Sequence, residues 1–465
     1  ALLGAVCLVV PDGGWHIGRW HLRFPTLAQA LDMDTKDDEL SMMNDSLLAE
    51  LETLGVLPSD SVVAQDTIAV QDSIPPKAQP VIPEVNVSNT DSRTYLAAFY
   101  AALDSVRTMP VRVVHYGDSQ IEEDRITNVL RERWQKAYGG GGVGLLPLHQ
   151  TIPTRSMRQW LSMDGVVQTV QGGPKRYLVY GPRSMRLDND EYGVMGQVAV
   201  MDSTLVAGSE DVVMCIEPID KKRQGHNYFN RVRVLTDSVD GYILAQDTML
   251  SPTPDTQHPL LYTLPDSTTK CEIHLQGKGK VYGVSLETPT GVIVDNIPMR
   301  GCSGNIFTKI DSTQLSDFYR ETNTRLIILQ FGGNMIPQTE NASTISGYVR
   351  STLRQQVRYL RACAPDAAIL FIGPSDMSTN IDGQMSTYPL VPYMDKLLKK
   401  MAAEEQIAYW SMYDAMGGKD SMVRWVENGL AGSDYVHFTR AGANKVGKIL
   451  YEWLMTYPDL LNSKQ

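Results

Sequence analysis

The stretch "VRVVHYGDSQIEED" (residues 111–124) joins two kinds of hydrophobic pattern at a serine. Its first half is rich in valine and predicts a buried strand that ends near Gly117, whereas residues 121–138 carry apolar side chains at helical spacing. Ser119 therefore lies in a turn from a strand to a helix. In an α/β protein such a turn lies at the carboxyl edge of the sheet, where ligands bind and where helix N-terminal amides face negative charge. The pattern makes Ser119 a candidate nucleophile.

The polar residues around this serine have structural explanations. We expect Glu122, Glu123 and Asp124 in the first turn of the following helix, where carboxylates interact favourably with the helix dipole. Asp118 is expected to hold its own turn by accepting a backbone N–H bond. His115 lies inside the predicted strand, and we interpret it as a buried structural histidine.

Further strand and helix patterns follow from about residue 291. The runs "GVIVDNI", "RLIILQF", "AAILFI" and "IAYWS" predict strands, and helices are predicted at residues 346–362, 391–405 and 440–455. Such alternation predicts an α/β fold in which helices cover both faces of a mostly parallel sheet.

Residues 150–290 have a different pattern. Short β-prone runs, among them "VVQTVQ", "KRYLVYG", "GQVAVM", "DVVMCIEP", "NRVRVLT" and "CEIHLQG", are separated by clusters of turn-forming residues. This spacing predicts an all-β sandwich or jelly roll inserted into the α/β domain. We therefore expect an α/β domain over residues 94–150 and 291–465 and a β domain over residues 151–290.

The N-terminal part, residues 1–93, is expected to contain an anchor or signal remnant and a linker. Its first ten residues, "ALLGAVCLVV", are apolar, but a membrane-spanning helix needs about 20 residues. We interpret this run as the remainder of a signal or membrane-anchor segment, with a buried strand as the alternative. A short helix is predicted at residues 34–55, and residues 57–91 have the composition of a linker. An export segment would place the rest of the chain outside the cytoplasm.

Charge and cysteine content exclude several kinds of function. The chain has 465 residues, of which 42 are basic and 53 acidic, giving a net charge of −11. Since no basic cluster is interleaved with aromatic residues, a nucleic-acid partner is not expected. The five cysteines show neither CxxC nor Cys/His ligand spacing, so neither a zinc site nor a disulfide scaffold is indicated. A single bridge remains open, with Cys215 and Cys271 as the candidate pair.

A serine nucleophile needs a base and donors for the oxyanion. The sequence "GSDYVHF" places Asp434 three residues before His437, so the carboxylate can orient the imidazole towards a serine. By itself this pattern is more typical of a surface loop or a helix cap. Two glycine-rich turns, "MRGCSGN" with Gly304 and "ILQFGGNM" with Asn334, follow predicted strands and offer N–H donors. Ordinary turns are the alternative reading for both.

Together these four motifs resemble, in the same order, the sequence blocks of the GDSL/SGNH hydrolase superfamily. The resemblance covers the predicted α/β part of the chain and implies a three-layer SGNH-type fold. It implies that Ser119 is the nucleophile, His437 the base and Asp434 the residue that orients it. The Ser119 N–H, the Gly304 N–H and the Asn334 side chain are the implied oxyanion hole.

Two further features narrow the resemblance to one group within this superfamily. The β-rich insertion, followed by "VYGVSLETPTGVIVDNIPMRGCSGN", looks like that of bacterial peptidoglycan O-acetylesterases, in which a carbohydrate-binding-type β domain is inserted at this point. The implied activity is a periplasmic or membrane-anchored serine esterase that removes O-acetyl groups from a glycan, most simply peptidoglycan, without metal or cofactor. An O-acyltransferase with the same triad and a glycan-binding protein with a vestigial hydrolase fold are the alternatives. Gln120 departs from the resemblance, because many members have leucine there.

Overall fold

The computed structural model describes most of the chain beyond residue 90. The described residues are 15–17, 20–22, 82–87, 91–163, 166–167, 174–187, 191–201, 211–219, 227–254 and 259–462. The chain divides into two compact units, Ala1–Pro76 and Lys77–Gln465. In the first unit, strands β1 (Trp15–Ile17) and β2 (Trp20–Leu22) form an antiparallel hairpin. The apolar run at residues 1–10 and the predicted helix at residues 34–55 lie outside the described residues.

The second unit contains strands of two kinds of sheet. Its described strands are, in chain order, β3 (Pro110–Gly117), β4 (Gly144–Leu146), β5 (Met157–Met163), β6 (Val166–Val167), β7 (Lys175–Leu178), β8 (Gln197–Met201), β9 (Val212–Pro218), β10 (Phe229–Thr236), β11 (Asp240–Ala245), β12 (Thr248–Leu250), β13 (Leu260–Thr268), β14 (Cys271–Gln276), β15 (Gly279–Glu287), β16 (Gly291–Pro298), β17 (Thr324–Gln330), β18 (Ala368–Ile372), β19 (Ser378–Ile381), β20 (Gln384–Thr387) and β21 (Ala408–Trp410).

Helices alternate with the later strands. The described α-helices are α1 (Ala97–Leu103), α2 (Thr127–Tyr138), α3 (Ser312–Glu321), α4 (Ala342–Gly347), α5 (Arg354–Cys363), α6 (Val391–Glu404), α7 (Met412–Met416), α8 (Ser421–Glu427) and α9 (Arg440–Asn462). A π-helical turn, Tyr348–Leu353, connects α4 to α5, so the helix predicted at residues 346–362 begins earlier than expected. None of the described helices is both long enough and apolar enough to cross a lipid bilayer.

Five parallel strands form the central sheet, in the order β16–β3–β17–β18–β21. Every strand predicted from the four apolar runs after residue 290 is present. Since all five strands run in the same direction, their carboxyl ends share one edge. The turns after β3, β16 and β17 therefore meet there, and these turns carry three of the four sequence motifs.

Helices cover both faces of this sheet, which gives three layers. Alternate side chains of β3 enter opposite cores: Val113 packs with Trp134 of α2, and Val114 belongs to the core that includes Leu398 of α6. Strands buried on both faces read as continuous apolar runs, which is why they were visible in the sequence. The predicted α/β fold is confirmed.

The region between β3 and β16 forms antiparallel sheets. One has the order β13–β10–β15–β8–β7 with β4 also paired to β15, and the other has the order β12–β11–β14–β9–β5–β6. A shared apolar core contains Val232 and Leu286 from the first sheet and Met214 and Ile273 from the second. The predicted all-β insertion is confirmed as antiparallel structure. The domain boundaries at residues 150/151 and 290/291 stay predictions, because residues 77–465 form one compact unit.

The predicted disulfide bridge between Cys215 and Cys271 is wrong. Both cysteines are free, although they lie on the neighbouring strands β9 and β14. Cys215 stands opposite Glu272, and Cys271 stands opposite Ile216. Because successive side chains of a strand point to opposite faces, this one-residue offset directs the two thiols to different sides of the sheet.

A buried charge network connects the parallel sheet to the antiparallel structure. Nη1 of Arg112 on β3 donates to Oδ1 of Asp295 on β16 at 2.7 Å, and its Nη2 donates to Glu287 at the end of β15. Oδ1 of Asp295 also accepts the N–H of Leu145 on β4 at 2.9 Å. Arg112, Asp295 and Glu287 are each at most 3% exposed, so the charges are satisfied by one another and not by water.

Candidate active site

Ser119 follows β3 and begins a 3₁₀ turn, Ser119–Asp124. Asp118 precedes the turn, and its Oδ1 accepts the N–H of Gln120 at 3.0 Å. The Asp118 carboxylate thus caps the turn as the sequence predicted. Burial raises the pKa of Asp118 to about 6, although the N–H bond from Gln120 and the nearby His437 act in the opposite direction. This carboxyl is therefore a titratable group beside the candidate nucleophile.

The acidic residues after Ser119 do not lie in the first turn of α2, contrary to expectation. Helix α2 begins at Thr127, and Glu123 and Asp124 have φ angles of 58° and 63°. Their carboxylates, like that of Glu122, pair with arginine side chains: Arg131 lies on α2 itself, whereas Arg155 and Arg300 are distant in the chain. The pairs are Glu122 with Arg300 at 2.9 Å, Glu123 with Arg155 at 2.8 Å, and Asp124 with Arg131.

His437 contacts both Ser119 and Asp434. Its Nε2 lies 2.8 Å from Ser119 Oγ, and its Nδ1 lies 2.6 Å from Asp434 Oδ2. The other carboxylate oxygen, Oδ1, accepts the N–H groups of Val436 at 3.0 Å and His437 at 3.1 Å. With a carboxylate at Nδ1, the neutral ring carries its proton there, which leaves Nε2 free to accept the serine proton.

The Asp434 carboxylate is held in its charged form. Burial alone would raise its pKa, but the hydrogen bond from His437, the charge of that ring and the backbone N–H groups of Val436 and His437 together lower the pKa below its usual value. A carboxylate that stays charged can stabilise a positive charge forming on His437. The sequence-predicted trio is thus assembled by the fold.

The two other predicted donors lie beside Cys302. The Gly304 N–H is directed at Cys302 Sγ at 3.3 Å. The Asn334 side-chain nitrogen donates to the carbonyl oxygen of Cys302 at 3.1 Å and to Oδ2 of Asp118 at 3.2 Å. Asn334 is thereby connected to the turn of Ser119 through Asp118. Nothing in the sequence pattern pointed to Cys302 as a neighbour of both donors.

Gly304 can only be glycine in this backbone. Its φ is +89°, and a Cβ atom placed there would lie 2.9 Å from the ring of Phe331. Residues other than glycine rarely adopt this backbone conformation. The ring of Phe331 would in any case clash with a Cβ atom at this position. The sequence signal for this residue, a glycine after a buried strand, therefore has a structural cause.

His115 is buried beneath the sheet edge and both its nitrogens are occupied. Nε2 lies 3.2 Å from Oε1 of Gln330, and Nδ1 lies 2.9 Å from Oγ1 of Thr127. Burial lowers the pKa of His115 to about 3, partly offset by the Gln330 hydrogen bond. A histidine that stays neutral in a closed network has the structural role expected from its position. Across the described part of the chain, no three His, Cys, Asp or Glu side chains are grouped to hold a metal ion.

Comparison with known families gives a match over the later part of the chain. The model of the GDSL-like lipase/acylhydrolase family matches residues 266–445. Residues 266–445 are thus similar to that family. The matched GDSL-like segment contains Gly304, Asn334, Asp434 and His437, whereas Ser119 precedes the β insertion and lies outside the match. The predicted enzyme class, a carboxylic ester hydrolase, is confirmed by this match.

A solved structure shares the fold over most of the chain. The structure "Peptidoglycan O-acetylesterase in action" superposes with a TM-score of 0.59 at 18% identity, covering 82% of this chain and 98% of its own. An acetyl xylan esterase gives a TM-score of 0.27 at 13% identity, covering 35% of this chain and 80% of its own. A Clostridium thermocellum family 3 carbohydrate esterase gives 0.25 at 11% identity, covering 36% and 72%. Curated proteins gave no match. The first superposition confirms the α/β fold.

Proposed function

We propose that the chain is a serine esterase that removes O-acetyl groups from a cell-wall glycan, with peptidoglycan as the substrate. The observation that carries the proposal is the continuous contact from Ser119 Oγ through His437 to Asp434, with distances of 2.8 and 2.6 Å. The acylhydrolase family of residues 266–445 supports the reaction class. The fold shared with a peptidoglycan O-acetylesterase over 82% of the chain supports the substrate class.

In the first step Ser119 Oγ attacks the ester carbonyl carbon. A C–O bond forms, and the serine proton passes to Nε2 of His437, which is already within hydrogen-bond distance. The imidazolium that results is stabilised by the charged Asp434 carboxylate. The carbonyl oxygen of the substrate becomes an oxyanion.

The proposal assigns three N–H donors to that oxyanion: those of Ser119 and Gly304 and the side-chain amide of Asn334. In the free protein the Gly304 N–H faces the sulfur of Cys302, a weak acceptor. A charged oxygen is a stronger acceptor than a thiol or a carbonyl, so the oxyanion competes for both donors. Asn334 donates to the Cys302 carbonyl at 3.1 Å and to Asp118 at 3.2 Å, at the upper end of the usual N–H···O range, and exchanges one of these bonds for the oxyanion.

Collapse of the tetrahedral intermediate breaks the bond to the sugar oxygen, which takes the proton from His437. Water then attacks the acetyl-serine, with His437 again accepting a proton, and acetate leaves as Ser119 recovers its own. In a transferase a sugar hydroxyl would replace this water, and the preceding steps would be the same. Since peptidoglycan lies outside the cytoplasm, the proposal includes extracytoplasmic action.

The test is acetate release from O-acetylated peptidoglycan by the full chain and by its Ser119→Ala and His437→Ala variants. Loss of either residue should lower turnover by about 10⁴-fold or more, and O-acetylated xylan should be a poorer substrate. Ser351→Ala is the matched control, because this exposed serine bonds only to Gly347 within its own helix. Equal release by wild type and Ser119→Ala would disprove the nucleophile. Release from xylan alone would disprove the substrate class.

A further inference from the structure

A side-chain hydrogen bond joins the residue after Ser119 to the turn that carries His437. Nε2 of Gln120 donates to the carbonyl oxygen of Val436 at 2.7 Å, and a longer contact of 3.4 Å reaches Ser375 Oγ. Gln120 is only 7% exposed. Its main chain is fixed by its own N–H bond to Asp118. The amide therefore links two segments that are distant in sequence and each carry one of the two reacting side chains.

The direction of the Gln120 amide is set by this bond. Its Oε1 is buried and has no hydrogen-bond partner among the described residues. Turning the amide over would place that oxygen against the Val436 carbonyl oxygen, and two acceptors repel each other. The hydrogen bond donated to Val436 is thus the main polar interaction of this side chain. The amide N–H group, and not the amide oxygen, therefore explains why a glutamine is buried here.

The turn before His437 is strained and needs such support. Tyr435, two residues earlier, has a φ angle of 58°, a conformation that persists in a non-glycine residue only when its surroundings fix it. Consecutive carbonyl groups are anchored: that of Tyr435 accepts the Ser378 N–H at 3.1 Å, and that of Val436 accepts Gln120. The first anchor comes from the first residue of β19, and the second comes from the Ser119 turn itself.

We propose that Gln120 is a positioning residue that sets the separation of His437 Nε2 and Ser119 Oγ by fixing Val436 to the serine turn. The inference rests on the proposed esterase function and extends it. When the N–H donor is removed, the partly buried Val436 carbonyl loses its protein partner, and the turn shifts to form a replacement hydrogen bond. A displacement of about 1 Å between reacting groups can lower a rate by about 10²-fold. Substrate contacts elsewhere are unaffected, so the loss falls on kcat.

The matched variants are Gln120→Met and Gln135→Met. Methionine has nearly the shape of glutamine and no N–H group. Gln135 is also buried and also donates to backbone carbonyls, those of Gly142 at 3.0 Å and Val292 at 3.2 Å. Val292 lies at the start of β16, at the sheet edge opposite the site. Gln135→Met therefore loses the same kind of hydrogen bond, but at a position whose local rearrangement does not displace His437.

The experiment measures kcat and KM for 4-nitrophenyl acetate, the rate at which a serine-directed phosphonate labels Ser119, and the unfolding temperature. We expect Gln120→Met to lower both kcat and the labelling rate about 10–100-fold and to change KM by no more than about twofold. Gln135→Met should lower the unfolding temperature by a similar amount to Gln120→Met but keep the wild-type kcat and labelling rate. Gln120→Leu is the second variant if the methionine protein does not fold.

Two failures are distinguishable. Equal kcat and labelling rates in the Gln120 and Gln135 variants overturn the positioning role, because a merely structural amide would affect only the unfolding temperature. If the wild type hydrolyses no ester but Ser119 still reacts with the phosphonate, the esterase function fails. In that case a slower labelling of Gln120→Met still supports the positioning role, and an unchanged labelling rate overturns it.

Discussion

Nε2 of His437 lies 2.8 Å from Oγ of Ser119, although the two residues are 318 positions apart in the chain. The parallel sheet accounts for this proximity. Ser119 follows the first strand of the sheet, and His437 lies just before the final helix α9, which packs beside α2 on the same face. The β insertion adds nearly half of the sequence separation without displacing either end, because it begins after α2 and ends before β16.

Asp434→Asn tests whether the carboxylate orients His437. Asparagine keeps an oxygen for the N–H groups of Val436 and His437, but its amide cannot hold the proton on Nδ1 in the same way. We expect kcat for acetate release to fall by about 10²–10⁴-fold, with little change in unfolding temperature. Asp317→Asn is the control, since Asp317 forms an exposed pair with Arg320. A loss below about threefold would contradict the triad role.

Asn334→Ala tests the side-chain donor of the oxyanion hole. Loss of one such donor lowers turnover by about 10²–10³-fold, so a measurable remnant is expected. Asn341 offers a matched control: it caps helix α4 by accepting the Ser343 N–H at 2.9 Å, and its alanine variant should lose about 1 kcal/mol of stability with normal turnover. Wild-type activity in Asn334→Ala would refute the oxyanion role.

Gly304→Ala tests the backbone donor without removing it. The added Cβ would meet the Phe331 ring at 2.9 Å, so the backbone must move and its N–H must leave the site. Gly301→Ala has the same kind of backbone strain, with a φ of +70°, but open space around the new methyl group. Both variants should lose stability, whereas only Gly304→Ala should lose kcat by about 10²-fold or more. Similar kcat values in the two would contradict the assignment.

Some of this site was predictable from the sequence and some was not. Buried parallel strands leave continuous apolar runs, and the turn residues after them stand out, so Ser119, Gly304 and Asn334 were found by local pattern. His437 was found because Asp434 lies three positions before it. Each of these signals is local in sequence.

The missed interactions depend on distant partners. The segment after Ser119 is shaped by arginines 155 and 300, from the insertion and from the turn after β16, and no periodicity reveals such pairs. The same holds for Gln120, whose partner lies 316 positions away. The predicted Cys215–Cys271 bridge was wrong for a related reason. Which side chains lie opposite each other on two paired strands depends on the strand register, and the sequence alone does not determine that register.

The Asp118 carboxyl should make stability fall as pH rises. Its pKa is about 6 in the folded protein, raised by burial from 3.8, so the folded state binds the proton more tightly than the unfolded state does. This contribution is fully present below about pH 4 and is lost by about pH 6. Relative to Asp118→Asn, the wild type should lose on the order of 2–3 kcal/mol of unfolding free energy over that range. Urea unfolding of both proteins at each pH measures this loss. A wild-type unfolding free energy that stays constant or rises relative to that of Asp118→Asn as the pH increases would contradict the raised pKa.

Arg112→Met tests the buried charge network between the two kinds of sheet. The variant leaves Asp295, which is 0% exposed, without its cation, whereas Glu287 keeps Arg233 at 3.5 Å. An uncompensated buried charge costs about 3–5 kcal/mol. Arg320→Met, which breaks only the exposed pairs with Asp317 and Glu321, should cost less than about 1 kcal/mol. Combining Arg112→Met with Asp295→Asn and Glu287→Gln should recover part of the loss, since neutral groups tolerate burial better than charges. If the single and triple variants unfold at the same urea concentration, the cost lies in packing and not in the unpaired carboxylates.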